Sequence, residues 1–268
     1  MTKVLTERRG RALLVTINRP EVRNCVDGET AQGLNDAVDA FRLASDLDVM
    51  VLTGAEDPSA SPEQSSFCSG ADLKNTRTLA ERRGADATGP MGCSRITQNE
   101  KPTIAAVNGY CTAGGLELAC WCDFRIASAN AQFGVLNRRW GVPLVDGGTQ
   151  RLPRIVGLGN ALYLIETGAL IDAAHAQRIG LVQELVPEGR AVERALEIAE
   201  TMSQYPQLAI RNDRRATLDG VAMPLAEGLE HEARVHRDTA RDPKMAEWLE
   251  RFAKGERPPP IRPPETHS

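Results

Sequence analysis

An α/β fold followed by a helical region is predicted by three features of the 268-residue sequence. Short apolar, β-branched runs at 12–18, 49–53 and 103–107 alternate with stretches of helical period. The connections between them are short, a pattern that implies parallel strands joined by crossover helices. Strand-like runs then cease, and from Pro206 onward only helical periodicity remains. The expected division is a core over 1–204 and a helical subdomain with an extended tail over 205–268. With 41% hydrophobic and 25% charged residues the chain can bury a substantial core.

The first strand is read over 12–18 and ends at Arg19 and Pro20, because proline cannot continue a ladder. Leu34, Val38 and Phe41 recur at helical spacing and place a helix at about 29–44. A strand at 49–53 follows. Residues 55–66, AEDPSASPEQSS, are polar and rich in Pro and Ser, which predicts a surface loop. Phe67-Cys68-Ser69-Gly70-Ala71 then leads an apolar residue into a glycine turn and a helix start. Residues 76–90 carry a short helix and small-residue breaks, and are weakly specified.

The stretch 101–125, KPTIAAVNGYCTAGGLELACWCDFR, organises the rest. Its apolar run at 103–107 suits a buried strand, Asn108 and Gly109 break it, and Gly114-Gly115 opens a helix over 114–121. A glycine entrance leaves the first helical N–H groups bare at the positive end of the helix dipole, which makes half of an oxyanion site. Glu117, a carboxylate among Leu116, Leu118 and Ala119, either caps its own helix or does chemistry. The Ala71 N–H after the second glycine turn is the candidate for the other donor.

Further on, strands are expected at 124–128, 131–133 and 181–186, with helices opening at Gly147-Gly148 and spanning 158–167, 172–178 and 189–203. The last helices are marked by Leu208, Ile210, Met223, Leu225, Leu229, Met245, Trp248 and Phe252, and residues 257–264, RPPPIRPP, form an extended tail.

Several functions are excluded on this sequence. The net charge of −4, with no basic run interleaved with aromatics, argues against nucleic acid as partner. Neither a signal-peptide-like start nor an 18-residue apolar run is present, so a cytoplasmic protein without membrane attachment is expected. Six cysteines without a C-x-x-C pair suggest reduced, packed thiols and no metal. His231-Glu232 begins like a zinc-protease motif, but His236 falls one residue too late for it. No phosphate-binding loop or nucleophile elbow occurs.

INRPEVRN (17–24), VLTG (51–54), FCSGADLKN (67–75), KPTIAAVNGYCTAGGLELACWCD (101–123), AQFG (131–134) and GGTQRLPRIVG (147–157) together resemble the enoyl-CoA hydratase/isomerase family, the crotonases. They run in family order over about residues 10–190. The resemblance implies a spiral of repeated β-β-α units, with the C-terminal helices building a trimer or a dimer of trimers. It implies an acyl-CoA substrate, coenzyme A being part of that substrate rather than a separate cofactor. The shared step would be a thioester enolate held by the N–H groups of Ala71 and Gly114. The backbone near Val22 and Arg23, and that of Ala71, Asp72 and Leu73, matches segments that contact coenzyme A.

The departure lies in the acid/base pair. Family hydratases use two glutamates, the first matching Glu117 and the second falling at Asn137, whose amide neither takes nor gives a proton at neutral pH. Simple enoyl isomerases rely on that second position too. Asp146 is the nearest substitute, either as a catalyst or as the cap of the helix at Gly147-Gly148. Arg138 and Arg139 either shift nearby acidities or face water. Three readings follow: a hydratase using Glu117 with Asp146 or a positioned water, an isomerase, and an acyl-CoA-binding protein with little turnover.

Overall fold

The computed structural model describes residues 2–57, 65–84 and 88–263. A hairpin of β1 (Val4–Arg9) and β2 (Ala12–Ile17) opens the chain, with Gly10 at φ 57° in its turn. Strand β1 was not anticipated. It lies at the sheet edge with most of its charged residues in water, so it lacks an apolar run. Asp27 then caps α1 (Gly28–Leu43), accepting the Thr30 N–H at 2.9 Å, and Leu34, Val38 and Phe41 bury along one face of that helix.

From here successive strands go to two different sheets. β3 (Val49–Gly54), β5 (Thr103–Val107) and β7 (Phe124–Ser128) enter the larger sheet, while β4 (Ser66–Cys68), β6 (Tyr110–Thr112) and β8 (Gln132–Gly134) enter the smaller. Pairing among β3, β5 and β7, and among β4, β6 and β8, is parallel throughout. Each pass therefore advances the chain by one strand in both sheets, and this is the spiral of β-β-α units. β9 (Leu170–Asp172) closes the smaller sheet antiparallel to β8, and β10 (Glu184–Val186) closes the larger. Among the described residues the orders are β1-β2-β3-β5-β7-β10 and β4-β6-β8-β9.

The strand expected at 181–186 is shorter than its apolar content suggests. The N–H of Leu181 turns back to Ala176 O at 2.9 Å, ending the preceding helix before pairing begins. β4, β6 and β9 have no counterpart in the sequence reading, because three residues carry too little pattern to read, and no α-helix starts directly after Gly70.

The helices are α2 (Gly114–Trp121), α3 (Gly148–Val156), α4 (Leu158–Thr167), α5 (Ala173–Arg178) and α6 (Ala191–Ser203). α1 and α2 pack into the main core, and α6 covers the opposite face of the large sheet, where Ala195, Ile198 and Ala199 meet Val49, Val51, Ile104 and Ile126. All six cysteines are free and buried.

After β10 the described chain is helical, with α7 (Gln207–Gly220), α8 (Leu225–Arg241) and α9 (Pro243–Ala253). Two arginines tie α7 to the core, Arg211 to Asp48 at 3.0 Å and Arg214 to Asp123 at 2.8 Å. Leu225, Leu229, Leu249 and Phe252 stay exposed. The tail after α9 is irregular and lies against the core. There Tyr205 donates its hydroxyl to Pro259 O at 2.7 Å, and Ile261 packs at the α6 cluster. Most of the expected polar loop, residues 58–64, lies outside the described residues, as do 85–87 and 264–268.

Candidate active site

Two backbone segments meet at unusually close range to form the site. A Cβ added to Gly115 would stand 2.0 Å from Cys68 O, and one on Gly70 would stand 2.8 Å from Gly114 N. Only glycines permit this approach, which presses the start of α2 onto the turn after β4. Gly70 also takes φ 94°, and Ala113 enters α2 at φ 53°, ψ −125°, a conformation that a non-glycine residue holds only under constraint from its surroundings.

The same packing aims two N–H groups into one space. Asp72 N–H donates to Val26 O and Val26 N–H to Gly70 O, both at 2.8 Å, so the Ala71 N–H between them points the opposite way. The Gly114 N–H is the first of α2 and has no partner within its helix. Neither N–H donates to another group among the described residues. Ala71 and Gly114 both line a cavity of about 450 Å³, together with Glu117, Asn137 and Asp146. Leu79, Met91, Leu136, Val142 and Pro143 give its wall an apolar character, and Trp140 stands exposed at the mouth.

Glu117 does not cap its own helix. Its Oε1 accepts from the Asp146 N–H and the Gly148 N–H, each at 2.8 Å, so it holds the turn at the entrance of α3. Gly148 makes room for it, since a Cβ there would lie 2.9 Å from Glu117 Cγ. Glu117 is 3% exposed, and burial, opposed by the two N–H groups and reinforced by the Asp146 charge, pushes its pKa up to about 7.

Asp146 does not cap α3 either, which corrects one of its two expected roles. The cap position is Gly147, with no side-chain bond, and Asp146 Oδ1 turns away to accept the Met91 N–H at 3.0 Å and the Ser94 hydroxyl. Burial raises its pKa, opposed by those two donors and by the Arg95 and Arg151 charges. Ser94 and Met91 had no signal in the sequence, lying in a stretch without period. Met91 also packs its sulfur where a Gly114 side chain would be, 2.7 Å from that Cβ position.

Asn137 is buried, and its role is fixed by one bond. Its Nδ2 donates to Val142 O at 2.8 Å, so the free atom is Oδ1, which has no partner among the described residues. Arg138 and Arg139 face water and reach carbonyls at the end of α4, Ile165 O at 3.2 Å and Gly168 O at 3.3 Å. They do not enter the cavity.

Of the residues expected at coenzyme A, Arg23, Ala71 and Leu73 line the cavity, while Val22 and Asp72 do not. Asp72 is spent inside the protein: its N–H goes to Val26, its carbonyl accepts from Asn75, and its carboxylate pairs with Arg19 at 3.1 Å. It shapes the turn that presents Ala71. Arg23, exposed and at φ 54°, lays its guanidinium 4.8 Å from the Tyr110 ring, beside the mouth.

Known proteins resemble this chain along nearly all of its length. A family model described as enoyl-CoA hydratase/isomerase matches residues 7–260. A probable enoyl-CoA hydratase of Rhizobium meliloti is 38% identical over 232 residues, 87% of each chain. The crotonyl-CoA hydratase of Syntrophomonas wolfei is 36% identical over 86% of each. The crystal structure of an enoyl-CoA hydratase from Mycobacterium tuberculosis superposes with a TM-score of 0.86 at 31% identity, covering 97% of this chain and 98% of that one. Matched along nearly its whole length, this chain belongs to the enoyl-CoA hydratase/isomerase family.

Proposed function

We propose that the protein is an enoyl-CoA hydratase-like enzyme that adds water to a 2-enoyl-CoA through an enolate. The observation that carries this reading is a buried carboxyl of Glu117, pushed up to about 7, in the same apolar cavity as two unpartnered N–H groups at Ala71 and Gly114. A group poised near neutrality can both accept and return a proton.

In the proposed reaction the water oxygen bonds to C3 of the enoyl group as its proton passes to a carboxylate. The displaced π electrons move to the thioester oxygen, where the Ala71 and Gly114 N–H groups hold the enolate. Loss of one such donor typically costs about 3–4 kcal/mol in barrier height. Collapse of the enolate takes a proton at C2. Glu117 and Asp146 are the acid/base pair, since Asn137 carries no titratable proton. What favours Asp146 over a merely positioned water is that it borders the cavity beside Glu117 and does not cap α3.

Arg23 and the backbone at Ala71 and Leu73 are the proposed contacts of the coenzyme A portion, supported by their place on the cavity lining. Association into a trimer, or a dimer of trimers, through the 205–268 region completes the proposal. It is supported by the exposed Leu225, Leu229, Leu249 and Phe252 on α8 and α9. Among the described residues no helix is long and apolar enough to cross a membrane, and the six reduced thiols support a cytoplasmic setting. Loss of the conjugated thioester absorbance on mixing the protein with crotonyl-CoA is the test, and an unchanged spectrum would set the hydratase reading aside.

A further inference from the structure

Arg151 is a half-buried cation that the reaction as written does not use. It sits one turn into α3, and its guanidinium lies over Gly147, where a Cβ would meet Arg151 Nη1 at 2.1 Å. Gly147 separates Asp146 from Gly148, the two residues whose N–H groups hold Glu117 Oε1. Arg151 Nη1 also donates to Asp146 O at 3.1 Å. The guanidinium is thus laid against the turn that grips the Glu117 carboxyl. Among the described residues no carboxylate stands within ion-pair distance of it, in contrast to Arg19, Arg194, Arg211 and Arg214, which each have at least one. A buried cation without a local counter-ion is costly to keep unless it balances charge nearby.

Resting on the hydratase reading, we propose that Arg151 is a positioning residue which fixes the 146–148 turn and supplies the positive charge that keeps Glu117 able to ionise. The charged and titratable groups around that carboxyl are few. Asp146 adds negative charge from the turn, and Arg95 and Ser94 act on Asp146 rather than on Glu117. Cys120 on α2 and Cys93 behind it are held protonated by burial, at about 11 and about 12. Arg151 lowers the Asp146 pKa as Arg95 does, but of the two only Arg151 lies against the turn whose N–H groups hold Glu117. Burial lowers the Arg151 pKa, opposed by Cys120 and Cys93 and then by Glu117.

The test is an infrared titration of the Glu117 carboxyl in the unliganded protein, its band assigned by absence in Glu117→Gln, alongside the pH profile of crotonyl-CoA hydration. Removing one charge at this range should raise the Glu117 midpoint by about one pH unit in Arg151→Met. Arg151→Gln, neutral but still able to donate to Asp146 O, should shift it as far and serves where the methionine variant does not fold. Arg151→Lys should hold the midpoint within about half that shift. Turnover at pH 7 should fall about fivefold in the neutral variants, with KM unchanged, and return toward wild type above pH 9 as Glu117 ionises. An unmoved midpoint in both neutral variants, or an equal shift in Arg151→Lys, would overturn the proposal. A midpoint that moves as expected in a protein that hydrates nothing would leave the role of Arg151 standing and remove the hydratase reading.

Discussion

Asp146→Asn separates proton transfer from anchoring within a single side chain. An asparagine at 146 can present its carbonyl oxygen where Oδ1 now accepts the Met91 N–H at 3.0 Å and the Ser94 hydroxyl, so the 89–94 segment stays in place. What the substitution removes is the charge and the exchangeable proton. General acid–base catalysis contributes about 100-fold to 10,000-fold, so kcat should fall by at least about 100-fold, roughly 2.7 kcal/mol of barrier, with KM little changed. A second effect has the opposite sign in pH. The Asp146 charge helps to raise the Glu117 pKa to about 7, so losing it should move the acidic limb of the kcat/KM profile downward. Stopped-flow measurement of crotonyl-CoA hydration from pH 5 to 9 reads both. Asn137→Glu is the matching control: with Asp146 already in place it puts a further negative charge into the cavity and should give no gain. If Asp146→Asn kept wild-type kcat while Asn137→Glu ran tenfold faster, Asp146 would be an anchor only, and the site would be a hydratase missing its second glutamate.

Two further predictions concern the whole molecule. Glu117→Gln should stabilise the protein at high pH: a carboxyl whose pKa rises from 4.5 to about 7 on folding contributes fully below pH 4.5 and loses about 3 kcal/mol as pH climbs through 7. Melting curves of wild type and variant should therefore be close at pH 4.5 and several degrees apart at pH 8.5, with the glutamine protein the more stable; equal separation at both would refute the buried ionisation. Light scattering should report a trimer or a hexamer, since Leu225, Leu229, Leu249 and Phe252 need a covering surface, and a stable monomer would refute that.

The fold was legible wherever one physical signal dominated. Helical period located α1, and β-branched runs located β3, β5 and β7, because burial on both faces leaves continuous apolar residues. The glycines at 70, 114 and 115 point in the sequence to turns that leave N–H groups bare, and the structure adds that they sit where two backbone segments touch. Charge-rich β1 and the three-residue strands β6 and β9 were illegible, since their pairing partners lie elsewhere in the chain. Ala71, Gly114, Glu117, Asn137 and Asp146, singled out in the sequence, line one cavity, whereas Val22 and Asp72 do not, and the bonds between them carry no sequence signal. Glu117 and Asp146 were each weighed as caps of a nearby helix, whereas Glu117 grips the turn before α3 and Asp146 grips the 89–94 segment. Those bonds span 29, 31 and 55 residues, distances over which sequence spacing says nothing. Arg151 lies within the stretch 147–157, yet its place over Gly147 emerges only once α3 is folded.

We propose that Glu117, which shares a cavity with the Ala71 and Gly114 N–H groups, drives hydration of an enoyl thioester. Wild type and Glu117→Gln mixed with crotonyl-CoA at pH 8, with the conjugated thioester absorbance followed over time, test it most directly. Steady loss of absorbance in wild type and at least about 100-fold slower loss in the variant is the predicted result. Equal traces for the two proteins, with crotonyl-CoA still bound by both, would contradict it and identify the cavity as one that holds an acyl-CoA without hydrating it.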